Sequence, residues 1–468
     1  MQRVSLCMIA RDEETNLPAC LGGVAGLVHE MVLVDTGSSD RTRATAARLG
    51  ARVFDTPWAD DFAAARNETL RHATGDWIFW LDADDRIDDA NRARLAKLFA
   101  GLGSEKVAYK IWCLCPPRLM IRHVRLFPNH TGARWRHRVH ERIEPDLVSR
   151  GIEVRQSDVV IEHAGYLDGD LVARKFERNL RLLQLEHAEH PDDPFILFKL
   201  GQSYHSQGEA TRALALLQRS LELYDVVGPT PGAEHYLALV QLYLQQGHSD
   251  PALTVCRAGL AHHPDDGDLL YQQATLLRVC GDVGAAEAHL RGLLEGLERG
   301  PYVSTDRDVL CCNARHDLAV LYRSQERAAD AERHWRLVVA GRPDYIQAWM
   351  GLADLWLAQG RLDEVERAAR LLEAQAGLPA EAAVLRARAR LAQRDFTSAR
   401  DLLTQTIIHY PDAFWPRVAL GHVLLQEGWD PAAAERALQD VLTRSPDYAP
   451  ARQQLAALYR QQGRAAPP

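Results

Sequence analysis

In GDWIFWLDADDRID (residues 75–88), the apolar run from Trp77 to Leu81 leads straight into Asp82, Asp84 and Asp85. Carboxylates packed this closely repel one another and resist burial. Two other apolar runs end the same way: VSLCMIA (4–10) leads into Arg11-Asp12-Glu13-Glu14, and EMVLVD (30–35) closes on Asp35. If these acids share one place, a hard divalent cation such as Mg²⁺ or Mn²⁺, held with the phosphates of a substrate, removes the conflict. The Asp-X-Asp alone is weak evidence, since Asp85 or Asp88 could equally cap the helix predicted over ANRARLAKLF. The segment VHE adds His140 and Glu141, groups able to take a proton from a nucleophile, beside Arg134, Arg136 and Arg138, which suit a diphosphate. His163 in VVIEHAGY is a further ligand candidate, or a residue packed where the two halves of the chain join.

For these acids to meet, the runs that carry them must be neighbouring strands. Strands are expected at 4–10, 30–35, 51–56 and 77–81, alternating with helices at 17–28, 40–50 and Phe62–Ala73. Apolar rather than alternating strands, separated by helices, predict a mostly parallel sheet covered on both faces, an open α/β domain. Such sheets bind ligands outside the carboxyl ends of their strands, where the acids fall.

From about residue 170 the pattern changes to small residues, aromatics and prolines recurring about every 34 residues. Gly201, Tyr204, Gly208 and Ala213 set the register, and Tyr243, Gly247, Ala252 and Pro264 repeat it. Trp349, Ala353, Trp356 and Gly360 continue it, and Gly421, Gly428 and Ala433 close it. About seven such units predict an all-α tetratricopeptide-repeat solenoid, an architecture whose concave face commonly holds a peptide or protein. The expected organisation is an α/β domain over 1–165, a linker helix over 166–192 and the repeats over 193–468.

Composition narrows the function classes. The 468 residues carry 55 Lys+Arg against 63 Asp+Glu, a net charge of -8 that offers no footprint for nucleic acid. The opening apolar run is too short for a signal peptide, and no stretch reaches the about 18 apolar residues of a membrane span. The eight cysteines lack zinc-knuckle spacing, so reduced thiols and a cytoplasmic location are expected. No GxxxxGK[ST] phosphate cradle occurs, and GSSD (37–40) leads into no nucleophile elbow; its hydroxyls suit the turn after Asp35.

Taken together, SLCMIARDEETNLPACLGGV, EMVLVDTGSSDRT and WIFWLDADD resemble the family 2 inverting glycosyltransferases of the GT-A fold, over about residues 3 to 165. FAAARNETLRHATGDW, HVRLFPN and RWRHRVHERI look like the branch holding lipopolysaccharide-core glucosyltransferases and the sublancin-type peptide S-glycosyltransferase. The resemblance implies a nucleotide-sugar donor, with UDP the expected carrier. Asp35 would read the base, with Arg11 and Glu13 lining the same pocket. Arg66 and Asn67 would face the nucleotide or order the acidic loop. Asp82 would meet ribose or metal, and Asp84 would bind Mn²⁺ or Mg²⁺ at the diphosphate. His140 would complete the metal or diphosphate site and Glu141 would act as base, roles that the sequence does not separate. The acceptor would be a peptide, protein or saccharide selected by the repeats, with a protein partner or a homodimer also compatible with such a surface. Two other readings are weighed: an interaction scaffold with an idle GT-A domain, disfavoured because Asp82 and Asp84 are both present, and a nucleotidyltransferase, which would carry a Gly-rich basic loop where this chain has ARDEETN.

Overall fold

The computed structural model describes residues 2–115, 119–164, 169–228, 230–300 and 306–464. By contacts the chain divides into two compact units, Met1–His262 and His263–Pro468.

The first unit opens with β1 (Val4–Ala10), α1 (Leu17–Val24), β2 (Glu30–Asp35), α2 (Thr42–Arg48), β3 (Arg52–Asp55), α3 (Phe62–His72) and β4 (Trp77–Trp80). It continues through β5 (Asp85–Arg86), α4 (Asp89–Ala100), β6 (Val107–Cys115), β7 (Leu119–Pro128), α5 (Glu144–Ser149) and β8 (Glu153–His163). The strands form one eight-stranded sheet in the order β3-β2-β1-β4-β7-β6-β8-β5. The β3-β2-β1-β4 half is parallel, whereas β7 runs antiparallel to both β4 and β6. In the second half β6 and β8 are parallel and β8 and β5 antiparallel, so the sheet is mixed there, which the apolar runs of the first eighty residues do not announce.

Side chains alternate across the pleat, so each strand feeds two cores. Leu6, Met8, Trp77 and Phe79 pack with Leu17, Leu21, Leu95 and Phe99 on one face. Cys7, Ile78 and Trp80 pack with Ala63, Trp135, Ile143 and Leu147 on the other. That double burial is why WIFW reads as one apolar run. The entry to β4 turns on Gly75, where a Cβ would lie 2.6 Å from Ser5 Oγ and 2.8 Å from the Arg3 carbonyl.

Five helices complete this unit: α6 (Gly169–Glu189), α7 (Pro194–Ser206), α8 (Ala210–Val227), α9 (Ala233–Gln245) and α10 (Ser249–His262). Val139, from the loop before α5, is buried in one core with Leu182, Leu183, Ile196, Phe198, Leu239 and Leu242, and Trp58 and Phe62 pack against that core. The shared core draws the helices through α10 into the same unit as the sheet, so the division by contacts falls at His262 rather than near residue 165 or 192.

Among its described residues the second unit has helices and no strand. Its elements are α11 (Gly267–Val279), α12 (Val283–Arg299), α13 (Arg307–Ser324), α14 (Ala328–Gly341), α15 (Ile346–Ala358), α16 (Leu362–Leu371), α17 (Pro379–Ala392), α18 (Phe396–His409), α19 (Trp415–Glu427), α20 (Pro431–Arg444) and α21 (Ala449–Gln461). Small residues sit where the helices touch: Ala286, Ala319, Ala331, Ala387 and Ala399 are fully buried. Gly351 lets α15 meet the Trp335 ring, since a Cβ there would lie 2.5 Å from it. Aspartates cap several helix starts, with Asp282, Asp306, Asp395 and Asp430 each accepting from the backbone N–H three residues on. Among the described residues no helix is long and apolar enough to cross a membrane.

Candidate active site

Strands β2, β1 and β4 are parallel neighbours, with Ala10 opposite Asp35 and Cys7 opposite Trp80. Their acid-bearing ends therefore share one rim, and two interstrand spacings, about 10 Å, separate the strand of Asp35 from that of Asp82.

Asp35 is buried, and its turn uses its carboxylate. Oδ2 accepts from the N–H groups of Gly37 (3.1 Å) and Ser38 (3.0 Å), and Oδ1 from Ser38 Oγ (2.5 Å). The loops after β1 and β2 are joined in the same manner. Asp12, in a left-handed conformation (φ 56°), accepts from Ser39 N–H at 2.7 Å, and Glu14 accepts from Arg41 N–H at 2.8 Å. Arg11 stays exposed at this rim. Burial raises the Glu13 carboxyl above its usual range despite a 2.7 Å bond from Asn16, and the charges of Asp84 and Asp82 add to the rise. Glu13 thus senses the Asp-X-Asp acids from across β1.

Those three acids have distinct environments. Asp85 is fully buried: Oδ2 accepts from Asp82 N–H (2.8 Å) and Arg125 Nη1 (2.7 Å), and Oδ1 lies 3.0 Å from His163 Nδ1. Asp82 loses solvation, but Arg66 and Arg125 outweigh that loss and hold its carboxyl well below the usual range. Asp84 has its nearest cationic groups farther away, His163 Nδ1 at 3.4 Å and Lys175 Nζ at 4.0 Å. Burial raises its carboxyl, and Asp82 and Asp85 add to the rise against His163. Capping of α4 falls to Asp88, which accepts from Asn91 N–H at 2.7 Å. A half-buried carboxylate beside two others, with no arginine on it and only the looser pairs to His163 and Lys175, is a donor set that fits a hard divalent ion. Asp85, Cys113 and His163 also bring ligand atoms within 4.8 Å of one another. There Arg125 already supplies positive charge, with Nη2 3.8 Å from Cys113 Sγ.

Arg66 joins the acidic loop to the VHE segment. Its Nη2 donates to Asp82 Oδ1 (2.8 Å) and its Nε to Glu141 Oε1 (2.6 Å), while the guanidinium stacks 4.2 Å from the Trp80 ring. Next to it, Asn67 bonds the backbone of Trp135 twice, accepting from its N–H (2.9 Å) and donating to its carbonyl (3.0 Å). Asn67 therefore orders the 134–143 loop with both ends of its amide. That loop contains two left-handed non-glycine residues, His137 (φ 74°) and His140 (φ 57°). Glu186 of α6 holds it, meeting His137 Nδ1 at 2.9 Å and Arg138 N–H at 2.8 Å. Arg136 is paired with Asp146 and Arg138 with Glu189, so neither is free for a diphosphate. The His140 ring opens onto the cleft, yet the crowding of surrounding protein and the charges of Lys199 and His137 lower its pKa to about 4.

A cleft of about 470 Å³ opens beside this cluster, bounded by Arg66, Asp82, Arg125, His140, Glu141 and His163. Its far wall comes from β6, β7 and the repeat helices, through Lys110, Arg122, Phe195, Phe198, Lys199 and Glu234. Arg66, Asp82, His140, Glu141 and His163 stand out in the sequence, whereas Arg125 does not, although an arginine within an apolar strand, when buried, requires a buried acid. The helix residues carry no local signal.

Residues 5–113 match the family description "Glycosyl transferase family 2", and residues 233–276, 316–379 and 384–449 match tetratricopeptide repeats. Over 282 residues the chain is 34% identical to the TPR repeat-containing protein of Synechococcus elongatus, covering 57% of this chain and 68% of that one. It is 24% identical over 234 residues to the SPbeta prophage-derived glycosyltransferase SunS of Bacillus subtilis, covering 46% of this chain and 53% of that one, about half that relative's length. An uncharacterized glycosyltransferase of Rickettsia felis is 27% identical over 26% of this chain and 41% of its own. A tetratricopeptide repeat protein from Parabacteroides merdae aligns at a TM-score of 0.41 and 19% identity, over 55% of this chain and 95% of its own. Sheet, acid-bearing rim and repeats define a glycosyltransferase family 2 domain fused to tetratricopeptide repeats. The chain belongs to the family of the TPR repeat-containing protein of S. elongatus.

Proposed function

We propose that this protein transfers a sugar from a nucleotide donor, with UDP as carrier, to a nucleophile on an acceptor, inverting the anomeric carbon. The observation that carries this reading is the Arg66 fork, which fixes Asp82 of the Asp-X-Asp and Glu141 from one guanidinium at the edge of the cleft. In the reaction, the acceptor attacks the anomeric carbon as its bond to the diphosphate breaks, and the bonding pair leaves with the nucleoside diphosphate. Glu141 takes the acceptor's proton, positioned by Arg66. Asp35 shapes the base-binding turn, with Arg11 and Glu13 beside it, and Asn67 keeps the VHE loop in place. Asp84 and Asp82, with His140 as the expected further ligand, would hold Mn²⁺ or Mg²⁺. When bound, that ion supplies Lewis-acid stabilisation of the departing diphosphate.

Calorimetric titration of UDP into the protein with Mn²⁺ should show binding that EDTA abolishes, and Asp84→Asn should remove it. Glu141→Gln should keep UDP binding and lower donor turnover by roughly 10²-fold or more. Absence of metal-dependent UDP binding by the wild-type protein would overturn the reading.

A further inference from the structure

The cleft beside the Asp-X-Asp loop holds more positive charge than its own acids match. Three of its cations are paired: Arg66 with Asp82 and Glu141, Arg125 with Asp85, and Lys110 with Glu144 at 2.8 Å. Arg122, Arg142 and Lys199 have no such partner among the described residues, and Glu234 is the one lining acid left to set against them. Aromatic rings hold them instead. The Arg122 guanidinium lies 3.6 Å over Trp112, that of Arg142 lies 5.1 Å from Phe195, and Lys199 Nζ lies 4.9 Å from Phe198. Ring faces steady a cation without neutralising it. Lys199 is also lodged in the wall, with Nζ donating to Gln202 Oε1 at 3.1 Å, and burial lowers its pKa. Lys199, partly buried without an ion pair, bears a desolvation cost that an arriving anion would offset, while Arg122 and Arg142 stay exposed on the same wall.

The sheet order separates this anion from the donor's diphosphate. On the reading proposed above, on which this inference rests, the nucleotide occupies the β1–β2 loops around Asp35. The cations come from β7, the 134–143 loop and α7, on the β4–β7–β6 side, away from β2. That is the side from which an acceptor would reach the anomeric carbon. Single cations interleaved with Phe195 and Phe198 suit an extended chain that offers alternating acidic and apolar side chains. We infer that Arg122, Arg142 and Lys199 receive the acidic side chains of a peptide acceptor and so select it by charge.

The test uses the full chain and fluorescein-labelled nonapeptides with a central Ser or Cys, flanked by Asp/Glu, by Ala or by Lys/Arg. Binding is read by anisotropy and transfer by mass spectrometry, with Mn²⁺ and a UDP-sugar panel. Acidic peptides should bind at least 10-fold more tightly than basic ones. Lys199→Glu and Arg142→Glu should erase or reverse that ratio, which is taken within each preparation and so is insensitive to partial loss of folded protein. Equal binding of all peptides, or a ratio unchanged in both variants, would overturn the inference. So would preference for an oligoglucuronate over every peptide, or weakening of UDP binding by Lys199→Glu as large as that of peptide binding, which would mark the wall as the diphosphate site. Acidic-peptide selection without any UDP-sugar consumption would sink the transferase reading and leave the three cations as an acidic-peptide binding site. UDP-sugar consumption without charge preference would do the opposite.

Discussion

The two compact units solve the same problem, burying a chain with ordinary hydrophobic content, by different means. In the sheet-bearing unit the interior includes ions: Arg66, Arg125, Asp35 and Asp85 are all buried and tied to one another or to turns. In the helical unit, close packing of small residues and aspartate caps do most of the work, although Glu332 and Arg417 are also buried there. Buried ion pairs seldom add net stability but are costly to break. Arg66, Arg125 and Asp85 gather beside one cleft, whereas Asp35 is spent on the turn after β2.

Removing one buried partner should sharpen that contrast most. Arg125→Met leaves Asp85 and Asp82 without their guanidinium, and urea unfolding should show a loss of about 3–5 kcal/mol. A loss under 1 kcal/mol would mean the ions in the two units are equivalent. In the helical unit the large effect should come from volume. Gly351→Ala pushes a methyl group into Trp335 and should cost about 1–3 kcal/mol in the same assay.

Acid sensitivity gives a smaller test. Glu30 is partly buried, but bonds from Ser5, Thr74 and Arg52 outweigh that burial and hold its pKa down to about 2. A depressed carboxylate stabilises the fold above its unfolded value and loses that contribution as pH falls through the folded one. Glu30→Gln should therefore cost about 1–2 kcal/mol at pH 7, with the gap to wild type closing between about pH 4.5 and pH 2. The smallest effect should be Asp282→Ala, which removes the cap of α12 and should cost about 1 kcal/mol at neutral pH.

Much of this was legible in the sequence, for reasons that differ by region. A doubly buried strand has to be apolar throughout, so WIFW and its acidic end stand out, and the repeats show themselves because each helix pair needs small residues at fixed intervals. The mixed half, β7-β6-β8-β5, was not legible. Strands β6, β7 and β8 pair through one another, with less apolar continuity, and β7 carries Arg122, His123 and Arg125 among its hydrophobics. The site divides in the same way. Asp82 and Glu141 were visible as residues, whereas the Arg66 fork joins groups 16 and 75 positions away. Asn67 looked like a ligand because its bonds to Trp135 span 68 positions. Lys199 gave no sign, since nothing local ties α7 to the cleft.

Val139 carries a last consequence. Because its side chain lies among Leu182, Ile196, Phe198 and Leu239, anyone grafting a foreign recognition module onto this enzyme should cut after His262. A splice at residue 165 or 193 would strip that core from around Val139 and leave the loop that carries His140 and Glu141 without its anchor.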